Sequence, residues 1–134
     1  MELKGILQVG ESVSITCCTS VTDLTFDGES LYQALENLFN QDASDYWEDS
    51  STQSPSYGVR YIVLDTPPEK EVSFNDLSAE IQLNMMYAEH VNGCYSEYTC
   101  GYGGFDYVLG SNGFGHSVFE ELKDHVGKYV YFTI

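Results

Sequence analysis

Apolar residues fall into short runs of period two at both ends of the chain, with two stretches of helical period between them. Residues 2–9 (ELKGILQV) and 13–18 (VSITCC) predict two strands, the second with Val13, Ile15 and Cys17 alternating against Ser14 and Thr16. Gly10-Glu11 between them suits the turn of an opening β-hairpin, and residues 21–26 extend the second strand or lead into a helix. Leu31, Leu35, Leu38 and Phe39 share one face of that helix. Asp27 is its expected N-cap, Glu29 suits the first turn, and Asn40 ends it.

Residues 41–56 form a long polar loop, and residues 57–65 (YGVRYIVLD) a strand with Val59, Tyr61 and Val63 on one face, stopped by Pro67-Pro68. Residues 75–90 carry two patterns at once. Ala79, Ile81, Leu83, Met85 and Tyr87 alternate with polar residues, whereas Phe74, Leu77, Ile81, Met85 and Ala88 make a helical stripe. A strand paired with residues 98–109 is preferred, with the helix as alternative. Val118, Phe119, Leu122 and Val126 define a second helix between Ser117, with Glu120 and Glu121 behind it, and Gly127. Residues 128–134 (KYVYFTI), apolar on both faces, predict a closing strand inside the sheet. The sum is one α+β domain over residues 1–134, a mostly antiparallel sheet of about five strands with two helices packed on one side. No internal repeat and no linker is legible.

Charge narrows the functional classes. Twenty-one acidic side chains against five basic ones give a formal charge of −16. Such a surface repels nucleic acid and anionic membranes and attracts basic proteins. At 43% apolar residues the chain is nevertheless a folding sequence rather than a disordered one. No apolar run approaches the roughly 20 residues that span a bilayer, and the opening residues lack a basic n-region and a cleavage site. A soluble cytoplasmic protein is expected, its four cysteines free thiols or metal ligands, with a disulfide scaffold as the alternative.

The stretch 90–116 concentrates the candidate chemistry. His90, Cys94, Cys100 and His116 are a candidate zinc set, with Cys17 or Cys18 as alternates to His116, because thiolate and imidazole are the ligands zinc prefers. The spacing contains no CxxC pair, so buried apolar cysteines with surface histidines are the competing reading, and a Cys94–Cys100 or Cys17–Cys94 disulfide is a third. Gly101, Gly103, Gly104, Gly110, Gly113 and Gly115 match no phosphate-binding loop and suit turns and bulges. A thiolate nucleophile paired with His90, His116 or His125 would need an electropositive setting that this chain does not offer, so no enzyme is expected and a small cysteine-dependent enzyme is the residual alternative.

Carboxylates mixed with large rings carry the preferred reading. Asp42, Asp45, Tyr46, Trp47, Glu48 and Asp49, together with Glu97, Tyr98 and Asp106, form the expected partner-binding set. Tyrosine and tryptophan anchor interfaces, and carboxylates steer and pair with arginine and lysine. The competing reading is a uniform acidic coat that serves solubility. The stretches DASDYWED (42–49) and EYTCGYGGFDY (97–107), in a small acidic aromatic-rich domain, resemble the phage and mobile-element inhibitors known as anti-CRISPR and anti-restriction proteins. That resemblance implies a stoichiometric inhibitor occupying a basic surface of a CRISPR effector or restriction enzyme, as a DNA mimic does, without catalysis. A zinc-binding adaptor is the alternative.

Overall fold

The computed structural model describes residues 1–14, 20–39, 56–88, 104–110 and 116–134. They form strands β1 (Glu2–Ser14), β2 (Ser20–Phe26) and β3 (Glu29–Ser30), helix α1 (Leu31–Phe39), then β4 (Ser56–Leu64), β5 (Ile81–Ala88), β6 (Gly104–Leu109) and β7 (His116–Ser117), helix α2 (Val118–Leu122) and β8 (Tyr129–Thr133). All pairings are antiparallel, in the order β3-β2-β1-β8-β4-β5-β6-β7. None of the described helices is long and apolar enough to cross a membrane.

This corrects the expected architecture. Eight strands replace the five, and the protein is mostly a curled antiparallel sheet with two short helices rather than an α+β layer pair. The curl follows from contacts between distant strands. In a flat sheet β2 and β6 would lie five strand spacings apart, about 24 Å. Yet α2 packs on both, and Tyr32 of α1 meets Tyr107 of β6 with ring centroids 5.6 Å apart. Two features of β1 help to bend it. Gly5 has a φ of +149°, where a side chain would collide with Asp27. Gly10 and Glu11 together oppose the single residue Asp23, a β-bulge. The expected hairpin turn at Gly10-Glu11 is therefore this bulge inside one continuous strand.

The expected cap is also displaced. Asp27 (φ +50°) and Gly28 (φ +91°) are the two central residues of a hairpin joining β2 to β3, both at the positive φ of a type I′ turn. Ser30 caps α1 instead, its hydroxyl accepting from the Gln33 N–H at 3.1 Å. Leu31, Leu35 and Phe39 follow at i, i+4 and i+8, and all three are buried. Within the ambiguous stretch 75–90, Ile81–Ala88 is strand β5, paired with β6, and β8 lies between β1 and β4 as its apolar faces predicted.

The sheet repeats itself, which the sequence did not disclose. Renaming β1, β2, β3, β4 as β5, β6, β7, β8 and the reverse turns the strand order into its own mirror sequence, so a pseudo-two-fold axis passes between β4 and β8. The registers agree residue by residue: Thr25 opposes Ser30 and Phe26 opposes Glu29, as Val108 opposes Ser117 and Leu109 opposes His116. Counterparts share burial, as with Leu7 and Leu83, Phe26 and Leu109, Leu35 and Leu122, Val59 and Val130. On the axis, Tyr61 pairs with its own counterpart Phe132, the rings stacked at 6.5 Å. Each half ends in a strand that is paired into the other half, so neither buries its core alone.

Candidate functional site

Each half carries one aspartate at the same place, Asp23 buried and Asp106 half-buried. Asp23 on β2 accepts from the N–H of the next residue, Leu24, at 2.8 Å, and from the Ser30 hydroxyl. Asp106 on β6 does likewise with the Tyr107 N–H at 2.7 Å and the Ser117 hydroxyl at 3.1 Å. Among the described residues both strands are flanked on the outer side by only two residues of β3 or β7, and each carboxylate satisfies a main-chain donor there. Asp23 does more: it also accepts from the Tyr32 N–H at 2.9 Å, inside the first turn of α1. In the second half Ser117 makes no side-chain cap bond, and α2 is five residues long against nine for α1. The expectation of Ser117 cap chemistry is corrected accordingly: its hydroxyl points to Asp106.

These carboxylates gather round Tyr32. A cleft of about 570 Å³ beside it is lined by Glu11, Asp23 and Glu36 together with Thr25, Ser30 and Gln33, with no cation among its lining residues. Burial, then the fields of Glu36, Asp106 and Asp23, raise the Tyr32 hydroxyl above its usual pKa. Burial also raises Asp106, with Glu120 adding to it, against the lowering effect of the Tyr107 N–H and the Ser117 hydroxyl. Burial pushes Tyr107 far above the usual phenol range.

The cations lie elsewhere. Lys4 pairs with Glu2 on the outer face of β1 at 3.4 Å. Lys128 pairs with Asp65 at 3.4 Å, Arg60 stacks on Phe74 at 4.7 Å, and Lys70 lies on the connection from β4 to β5. Lys123 sits on the helix side, bound to Glu120. Charge is thus segregated among the described residues: Lys4, Arg60 and Lys70 lie on the side opposite the helices, and the cleft beside Tyr32 is lined by carboxylates without a cation.

Of the sequence-derived partner residues, Asp106 is placed in β6 within this acidic group. Asp42, Asp45, Tyr46, Trp47, Glu48, Asp49, Glu97 and Tyr98 lie outside the described residues, as do His90, Cys94, Cys100, Cys17 and Cys18. The described ends of their two segments, Phe39 with Ser56 and Ala88 with Gly104, belong to α1 and the neighbouring strands β4, β5 and β6. His116 is exposed in β7. Among the described residues no group of three or more His, Cys, Asp or Glu side chains could hold a metal ion. Sequence reading missed Glu11, Asp23 and Glu36, since nothing in their spacing shows that the bulge, β2 and α1 converge. No family model, curated protein or solved structure matches the chain.

Proposed function

We propose that the protein is a non-enzymatic inhibitor that binds a basic surface of a nucleic-acid-processing protein, a CRISPR effector or restriction enzyme, through carboxylates and tyrosines. The segregation of charge is the observation that supports this reading. A coat serving solubility alone has no reason to keep Lys4, Arg60 and Lys70 on one side and leave Glu11, Asp23, Glu36 and Asp106 round Tyr32 on the other. Partly desolvated carboxylates beside a large ring are suited to arginine and lysine, and their field speeds encounter with a basic partner. The acidic segments at 42–49 and 97–98 extend the same chemistry.

The test is capture from a nuclease-treated bacterial lysate on the immobilised chain, with elution by a salt gradient. A basic nuclease or effector is retained by the native chain and leaves only at high salt. A Glu11→Gln, Glu36→Gln variant releases it at lower salt, because two charges are gone from the interface. Retention of nothing basic, or identical elution from both chains, ends this reading.

A further inference from the structure

The connection from β4 to β5, residues 65–80, is far longer than antiparallel neighbours require. Two to five residues would join them, and a long connection that holds its shape is commonly functional. Here the excess is ordered and built. Pro68–Val72 lie across the outer face of the sheet, against Tyr129 and Tyr131 on one flank and Ile62 and Leu64 on the other. A 3-10 turn, Phe74–Asp76, follows, fixed by a capping box: the Ser73 hydroxyl accepts from the Asn75 N–H at 3.4 Å, and the Asp76 carboxylate from the Ser73 N–H at 3.2 Å.

That turn holds Phe74 outward, 67% exposed, the most exposed large apolar side chain among the described residues. Arg60 lies over its ring at 4.7 Å and is itself held by the Ser78 carbonyl, to which it donates at 3.0 Å. An isolated surface phenylalanine is ordinary. This one stands on a capped turn under Arg60, and Val72 and Asp76, two residues to either side of it, line a cleft of about 680 Å³ with an apolar floor from Ile62, Leu64 and Val72. Asp65, Glu69, Glu71 and Asp76 stand around the cleft, against Lys70 and the Asp65-bound Lys128. Its charge is therefore net negative over an apolar floor. A pre-set ring next to a cleft of this kind forms an anchor at little ordering cost.

We infer that the cleft between the 65–73 segment and β4, with Phe74 at its edge, docks a short extended segment of a partner protein in which an apolar side chain is flanked by arginine or lysine. The surface lies on the opposite side of the sheet from the acidic group round Tyr32, so it stands or falls separately from the inhibitor reading. The apolar residue fills the floor over Ile62 and Leu64, and the flanking cations meet Glu69 and Glu71.

The test is an NMR titration of the full ¹⁵N-labelled chain with two peptides, Ac-Arg-Leu-Val-Arg-NH₂ and Ac-Glu-Leu-Val-Glu-NH₂. The basic peptide shifts the amides of Leu64, Val72 and Phe74 and the acidic one does not. Phe74→Ala, a surface change that leaves the rest of the spectrum in place, weakens the binding about tenfold. Equal shifts with both peptides, or none at millimolar concentration, overturn the inference. Shifts confined to Glu11, Tyr32 and Glu36 also overturn it, and they leave the inhibitor reading intact.

Discussion

Tyr32 and Phe119 are counterparts in the two halves of the sheet, and their rings meet 5.9 Å apart on the axis that relates those halves. Tyr32 also faces Tyr107, so one contact joins both helices to a strand near the far end of the sheet. Phe119 is almost fully buried. Phe119→Ala therefore removes the ring that closes the curl and costs about 3–5 kcal/mol, read from urea unfolding. A loss below about 1 kcal/mol would mean that the helices do not close the curl.

The two aspartates make an internal comparison. Asp23 is buried and has three partners, two of them main-chain donors. Asp106 is half-buried with two. Asp23→Ala should cost about 2–4 kcal/mol, through unmet buried donors and a lost helix cap, and Asp106→Ala clearly less. Equal losses in chemical denaturation would contradict the different roles assigned to them.

Gly5 tests the bend in β1. A Cβ there would lie 2.4 Å from the Asp27 Cγ, and Asp27 uses that carboxylate to accept the Ile6 N–H at 2.9 Å. Gly5→Ala must displace the turn and lose the bond, a cost of about 1–3 kcal/mol visible as a lowered Tm. An unchanged Tm would show that Asp27 can leave without consequence.

Acid and alkali act on the same group of residues. Burial raises the folded Asp106 above the ordinary 3.8, so the native state holds its proton longer than the unfolded chain. Its contribution to stability therefore falls as pH rises from 3.8 to the raised value. Asp106→Asn removes that slope, and the stability difference between native chain and variant, measured by urea unfolding across this window, should move against the native chain as pH increases. At the alkaline end, unfolded tyrosine ionises near 10.0 while buried Tyr107 resists. Stability is lost above pH 10.0, and Tyr107→Phe should move the alkaline unfolding midpoint upward.

Much of the element content was legible because it rests on local periodicity. The Leu31, Leu35, Phe39 stripe gave α1, and the apolar run after Gly127 gave a central strand. What failed depends on contacts remote in sequence. Asp27-Gly28 is a hairpin signal, but next to an amphipathic helix Asp27 also reads as a cap, and that choice hid β3. The repeat was hidden because its shared pair is spaced differently: Asp23 and Ser30 lie seven residues apart, Asp106 and Ser117 eleven. Of the acidic group round Tyr32 only Asp106 was legible, since Glu11, Asp23 and Glu36 come together only through a bulge and a curl.

Because the fold states its packing problem twice, the chain contains two worked answers to it. Leu24 and Tyr107 fill the same site, as do Phe26 and Leu109 or Leu31 and Val118, all of them buried. What such pairs have in common is what folding demands, namely apolar bulk at a given register. Where they part, as Glu29 does from His116 and Gln33 from Glu120 on exposed positions, the scaffold has imposed nothing. Those unmatched surface positions are where selection on this molecule has been free to write its specificity.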